Sequence, residues 1–289
     1  MAKLIETANA NLKMHLTDNP CRGVVAGIND KGIPMQLSWT MGRSTNSQNR
    51  IYVIEHDVLR TEPFDASKAG DLRLIIYNAM MSTHGAHIVT NGHQTDDVIR
   101  VLSEKETKGE LHLGRGDGID MFRKALEKRY CEPDPTIFTA RISGYQDFRH
   151  DYRVYLSVEK AEPFAREHWI KTLEKSGLKK EDFESTDAFN REIGRLAGLN
   201  HEEFPTLHDW FKRPVKKGFG YMITTYMPGS SDLPAFQGEP LIVPMQGSLE
   251  NVMQIFWEAL EPEWRVSLGG RIVAGVMPEY AEPINRLQI

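Results

Sequence analysis

The segment 23–41 constrains the fold more than any other. Two short apolar runs, Gly23–Ile28 and Pro34–Met41, are joined by Asn29-Asp30-Lys31-Gly32. Gly, Asn and Asp accept positive φ at low cost, so this link reads as a hairpin turn and the two runs as antiparallel strands. A third strand is predicted at Arg50–Ile54, beyond the polar stretch Gly42–Asn49, with others at Leu72–Tyr77 and Ala86–Thr90. Thr136–Ser143, Tyr152–Val158, Gly220–Thr225 and Arg265–Val276 continue the strand pattern. Between them lie helical periodicities. Residues 1–18 bring Leu12 and Leu16 to one face. A turn at 92–96, with Thr95 or Asp96 as cap, leads into a helix at Asp97–Leu102. Gly118–Tyr130 aligns Ile119, Phe122, Leu126 and Tyr130, and Leu249–Leu260 aligns Val252, Ile255, Phe256 and Leu260. Pro163–Pro214 is charged and helical in character, an inserted subdomain or lid between strand-rich parts. The predicted class is α+β on antiparallel sheets.

Charge and cysteine usage narrow the function. A net charge of -5 on 289 residues argues against a protein that coats nucleic acid, though a few focused arginines can still bind a phosphate. Cys21 and Cys131 are the only cysteines and form no CxxC pair, which points to reduced thiols and a cytoplasmic protein. No apolar run approaches the roughly 20 residues that span a bilayer, and the N-terminus lacks a signal-peptide core. The ten histidines contain no HExxH. His84 and His87, three apart, are a weak pair, so no metal is expected. Gly114–Gly118 is Gly-rich but lacks the Lys-Ser/Thr of a phosphate-binding loop, and reads as a connection.

Three polar segments can carry chemistry. Gly42–Arg50 places Arg43 and Arg50 around a run of hydrogen-bonding side chains, either a solvated loop or a site for phosphate or carbonyl groups. Thr90–Asp96 lies where a strand feeds a helix, either a capped turn or a place for an anion. Glu132-Pro133-Asp134-Pro135 holds two carboxylates at a helix-to-strand junction, either surface charges or a general base with its orienting partner. Tyr77-Asn78 closes an apolar run, where the tyrosine is either core or a proton donor.

Taken in order, Asn19-Pro20…Arg22-Gly23, Met41-Gly42-Arg43-Ser44-x-Asn46-Ser47-x-Asn49-Arg50, Thr90-Asn91-Gly92-x-Gln94-Thr95-Asp96, Glu132-Pro133-Asp134…Thr139-x-Arg141-Ile142-Ser143-Gly144 and Thr224-Thr225-Tyr226…Phe236-x-Gly238-Glu239-Pro240 resemble the archaeal-type IMP cyclohydrolases and their bacterial relatives. The match covers about 19–150 and about 218–275. The resemblance implies one domain over 1–289, with 160–215 as a helical insertion serving as lid or subunit interface. It implies a four-layer α-β-β-α sandwich of the N-terminal nucleophile hydrolase type, without self-processing.

It also implies a reaction: 5-formamidoimidazole-4-carboxamide ribonucleotide closes to inosine monophosphate and water, the last step of de novo purine biosynthesis. The enzyme would need no cofactor and no metal, and would act as a cytoplasmic homo-oligomer without nucleic-acid or membrane partners. The implied catalytic residues are Arg50, Tyr77 and Glu132; Arg43, Ser44, Asn46, Asn49, Asn78, Asn91, Gly92, Thr95 and Arg141 would bind substrate. The sequence departs from the family pattern in a shortened Asn19–Gly23 segment and in Ala140, where proline is expected. Two alternatives stay open: an amide hydrolase of the same fold using Cys21, and an inactive purine-nucleotide sensor.

Overall fold

The hairpin dictated by Asn29–Gly32 is present. The computed structural model describes residues 1–69, 72, 75–108, 117–147, 152–229 and 231–288. After a first helix, α1 (Ala2–Leu16), strands β1 (Gly23–Ile28) and β2 (Pro34–Met41) pair antiparallel, from Gly23 opposite Trp39 to Ile28 opposite Pro34. Asn29 closes the turn: its amide donates to the Ile33 carbonyl, its Oδ1 accepts from the amides of Lys31 and Ile33, and Gly32 takes φ +85°.

Two antiparallel sheets result. In the first, β1 and β2 sit centrally, flanked by β10 (Phe219–Thr224) and β11 (Leu241–Pro244) on one side. On the other side lies β12 (Arg265–Ile272), which pairs with β13 (Glu279–Tyr280) and β14 (Ile284–Asn285). The second sheet is a meander in chain order. It runs through β3 (Arg50–Glu55), β4 (Val58–Pro63), β5 (Asn78–Thr83) and β6 (Ala86–Thr90) to β7 (Arg141–Gln146), β8 (Arg153–Ala161) and β9 (Thr206–Pro214).

Side-chain alternation decides what each sheet face meets. On β1, Val24 and Ala26 join Tyr52, Leu59, Met80, Val89, Ile142 and Leu156 between the sheets. Val25 points the other way, with Leu37 and Trp39, onto α1 and α7 (Leu249–Ala259). On the second sheet, Ile88, Tyr145 and Tyr155 pack outward against α3 (Gln94–Thr107) and α4 (Asp117–Leu126). The helices therefore lie outside and the sheets inside, as an α+β chain requires if both faces of each sheet are to be covered.

Most predicted elements are present, and several need correction. The strand expected at Leu72–Tyr77 lies wholly beyond that run, at Asn78–Thr83; residues 70, 71, 73 and 74 lie outside the described residues, as does most of the Gly114–Gly118 connection. The helix expected from Asp97 begins at Gln94, so Thr95 and Asp96 sit in its first turn and do not cap it. The α4 stripe ends at Leu126, leaving Tyr130 exposed, and Ile255 is exposed on α7. The expected strand Thr136–Ser143 becomes strand only from Arg141, and the polar stretch after Gly42 contains a short helix, α2 (Thr45–Gln48).

The insertion is narrower than its composition implied. Helices α5 (Pro163–Ser176) and α6 (Thr186–Ala197) form a hairpin, but Thr206–Pro214 is strand β9, paired along its length with β8. Trp169, Ile193 and Phe204 bury against Phe138 and Cys131, which attaches the hairpin to the segment leading into β7.

Candidate active site

Strand parity gathers the site. Alternating direction in the second sheet places the starts of β3, β5 and β7 and the end of β6 at one rim, and the start of β1 shares its rim with the ends of β2 and β10. A cavity of about 410 Å³ opens where these rims meet. Arg22, Arg43, Ser44, Asn46, Arg50, Glu132, Asp134, Thr139 and Tyr226 line it, with Met41, Ile75, Ile137 and Leu233 as its apolar walls.

Its charges are set by burial and pairing. Arg22 donates from Nη2 to Glu132 Oε2 at 2.7 Å and from Nη1 to the Asn91 carbonyl at 3.0 Å. Burial is the largest single effect and disfavours its charge, but the Glu132 carboxylate, with Tyr77 and Tyr226 beside it, raises its pKa on balance. Glu132 also has Arg141 Nη1 at 3.8 Å, so one carboxylate faces two guanidinium groups. Arg50 is 4% exposed; its Nε donates to the Ser47 carbonyl at 2.9 Å. Burial lowers its pKa, and the like charge of Arg22 adds to that effect. Among the described residues no carboxylate pairs with Arg50, and a buried guanidinium in that position is poised for an anionic or strongly polar ligand.

Asp134 lines the same cavity, near Glu132 and Arg22, and is partly open to it. Burial, and then the neighbouring Glu132 charge, push its carboxyl up to about 7. It accepts from the Thr139 amide at 2.6 Å and from Thr139 Oγ1 at 2.5 Å.

The predicted residues divide. Arg43, Ser44, Asn46, Arg50 and Glu132 line the cavity, Arg43 and Ser44 at its exposed lip. Tyr77 is buried behind it, its hydroxyl close to Tyr52 and Arg50 and without a well-formed hydrogen bond. The others brace the rim. Asn49 clamps Asp65 through two hydrogen bonds, 2.8 and 2.9 Å, and Asn78 donates to Asp96 at 2.7 Å. The Asn91 side chain ties β6 to β7 through Ala140 and Ile142 while its carbonyl holds Arg22. Thr95 bonds Thr90, and Gly92 leaves room for Arg141, whose Nη1 would lie 2.6 Å from a Cβ there. Arg141 reaches Glu132 but opens mainly onto two neighbouring clefts.

Arg22, Thr139 and Tyr226 are site residues that composition did not single out. Each lies within a quoted motif, and only the meeting of β1, β7 and β10 shows its place.

Cys21 is fully buried and burial pushes its thiol up to about 12, the opposite of an activated nucleophile. His87 bonds Ser82 and the Gly275 carbonyl. Among the described residues Asp187, His201 and Glu202 bring ligand atoms within 4.8 Å of one another, but they already pair among themselves and Asp187 also pairs with Arg191.

The molecule is thus an α+β protein of two antiparallel sheets, with a small-ligand cavity at one end where arginines face a pair of carboxyls. The model of the IMP cyclohydrolase-like protein family matches residues 20–275, helical hairpin included, and the chain belongs to that family. No curated protein matches it. No helix among the described residues is long and apolar enough to cross a membrane.

Proposed function

We propose that this protein is an IMP cyclohydrolase, closing 5-formamidoimidazole-4-carboxamide ribonucleotide to inosine monophosphate and water as the last step of de novo purine biosynthesis. The observation that carries the reading is the cavity in which Arg22, Arg43 and Arg50 face Glu132 and Asp134, in a chain of this family. The helices-outside, sheets-inside packing supports the four-layer α-β-β-α sandwich of the N-terminal nucleophile hydrolase type. We further propose one domain over 1–289, working in the cytoplasm as a homo-oligomer.

The reaction asks for little equipment. Nucleophile and electrophile belong to one molecule, so folding the carboxamide onto the formyl group supplies much of the rate. The carboxamide nitrogen is a weak nucleophile and must lose a proton as it attacks. Glu132, positioned beside Arg22 and Arg141, takes that proton. The Arg50 guanidinium donates to the formyl oxygen as it gains charge, with the Tyr77 hydroxyl behind it. Arg43, Ser44 and Asn46 at the lip bind the phosphate or the imidazole carbonyl. No cofactor takes part.

The test incubates the purified protein, with chelator, with the formamido ribonucleotide and follows inosine monophosphate by chromatography. Turnover well above the uncatalysed rate is expected. Arg50→Met and Glu132→Gln are each expected to lower kcat by about 10²-fold or more. Parent-like kcat in either variant removes that residue from the mechanism, and no turnover by the parent ends the reading.

A further inference from the structure

Asp134, Thr139 and Tyr226 form a chain in the wall of the cavity. Thr139 Oγ1 lies 2.5 Å from Asp134 Oδ2 and 2.5 Å from Tyr226 Oη, and all three residues line the same space. A threonine hydroxyl has one proton to give, so the two contacts fix each other's direction. When Asp134 is ionised, Thr139 donates to it and Tyr226 donates to Thr139. When Asp134 carries a proton, it donates to Thr139, Thr139 donates to Tyr226, and the phenol proton turns toward the cavity. Asp134 Oδ1 cannot take part in this reversal, since it accepts the Thr139 amide at 2.6 Å.

The mechanism above leaves this chain unused. We propose that Asp134–Thr139–Tyr226 is a reversible proton relay serving the cavity, presenting a donor to a ligand oxygen in one state and an acceptor to a ligand N–H in the other. This rests on the cyclodehydration reading for its substrate. There the leaving water is built from the formyl oxygen and two protons, and both protons come from nitrogens of the same molecule. As the carboxamide nitrogen bonds to the formyl carbon, its proton passes by way of Glu132 to the oxygen, giving the carbinolamine. A ring-forming N–H then gives its proton to Tyr226, the phenol proton moves to Thr139, and the Thr139 proton moves to Asp134. Run backwards, the relay hands a proton to the carbinol oxygen; the C–O bond breaks, C=N forms and water departs. No proton is gained or lost overall, so no outside acid or base is needed.

The position of Asp134 supports both states. Its carboxyl, pushed up to about 7, changes charge in the range where the protein would work. The groups facing it are Glu132 and Arg22 in the cavity and Tyr226 on the far side of Thr139. Beyond it, the neighbouring cleft that Asp134 also lines holds His93, Arg141, His201, Asp187 and Glu202. With these charged and ionisable groups nearby, the assignment to Asp134 is made by substitution.

The test reads the relay twice. By NMR of protein labelled at the tyrosine Cζ, the Tyr226 resonance, assigned with Tyr226→Phe, is expected to titrate with a midpoint near pH 7. The step should vanish in Asp134→Asn and Thr139→Val and persist in Thr139→Ser. By turnover, Asp134→Asn, Thr139→Val and Tyr226→Phe are each expected to lose about 10²-fold in kcat, with inosine monophosphate binding kept within a few-fold. Thr139→Ser should keep activity, and the Asp134→Asn/Tyr226→Phe double variant should lose no more than the worse single one, since broken links of one chain are not additive. A Tyr226 signal that ignores Asp134, or parent-like kcat in Thr139→Val, overturns the relay while leaving the cyclohydrolase intact. A coupled titration in a protein with no turnover keeps the relay and removes the reaction.

Discussion

At the residue scale the buried carboxyls are the most informative groups. Glu159 on β8 lies directly across from Arg141 on β7 and His208 on β9, and its oxygens are fully buried without a hydrogen bond of good geometry. Burial pushes it up to about 8; Ser157, Arg141 and Arg129 pull the other way and do not overcome it. The folded chain therefore holds a proton on Glu159 that the unfolded chain releases in the ordinary carboxylate range. Stability from this group is fully present below that range and is lost as pH rises through about 8. Glu159→Gln keeps the shape and cannot ionise. Compared by urea unfolding from pH 5 to pH 9, the variant is expected to gain on the parent as pH rises, by on the order of 2–4 kcal/mol at the top. Parallel pH curves would refute the buried-acid reading. Nothing in the sequence marks this residue, because the strand expected at Tyr152–Val158 stops one residue short of it, and a glutamate there looks solvated until both neighbouring strands are known. Arg43, Ser44, Asn46, Arg50 and Glu132 were legible because they cluster within short polar segments beside strands. Asn49, Asn78 and Asn91 belong to similar polar segments, yet their amides are spent on the Asp65 and Ala140 carbonyls and the Asp96 carboxylate, a distinction that only hydrogen-bond partners reveal.

At the scale of elements, patterning located what is locally closed and lost what depends on a distant partner. The β1–β2 hairpin was legible to the residue because Asn29 and Gly32 fix the turn within the segment itself. The strand at β5 was misplaced toward 72–77 because that run is the more apolar; tertiary pairing with β6 selects Asn78–Thr83 instead. β9 was taken for helix because its polar and aromatic residues, His208 to Arg213, lack clean alternation, and only an edge position beside β8 accounts for them. The α5–α6 hairpin carries a testable consequence. Trp169 is 1% exposed, with its ring 5.5 Å from that of Phe138 and 6.0 Å from that of Phe204. Phe138 follows Asp134 and precedes Thr139, so the helical hairpin packs on the loop that carries two of the three relay residues. Trp169→Ala is expected to cost about 3–5 kcal/mol of stability and to lower kcat about tenfold even where the chain stays folded. Leu196→Ala, at an exposed position of α6, should change neither. Loss of stability with unchanged kcat would show that the hairpin only supports the fold.

At the scale of the whole molecule, the question is what makes two sheets one structure. Apolar packing between them is part of the answer, but a polar strap crosses the same interface. Arg271 on β12 is fully buried in the first sheet, yet its Nη2 donates to the carbonyls of Met81 and Ile88 in the second, at 3.0 and 2.8 Å. The same guanidinium donates to Gln36 Oε1 at 2.7 Å and to Ser82 and Tyr280 hydroxyls at 2.9 Å each. Gln36 continues the strap by donating to the His87 carbonyl at 3.1 Å. Burial lowers the pKa of Arg271, the cost of carrying a charge here, and the many acceptors around it offset that cost. Because those acceptors come from both sheets, removing the donor strands groups in each of them at once. Arg271→Met fills much of the volume but leaves several buried oxygens unpaired, at about 1–3 kcal/mol for each group that water cannot reach. The expected result is a loss of about 3–5 kcal/mol, with far-ultraviolet circular dichroism and tryptophan fluorescence still reporting one urea transition. Arg271→Lys, which keeps a charge but not the planar fork, should fall between variant and parent. If the two probes separated in Arg271→Met, the strap would be the coupling between two otherwise independent sheets, and the cavity at their shared rim would open with it.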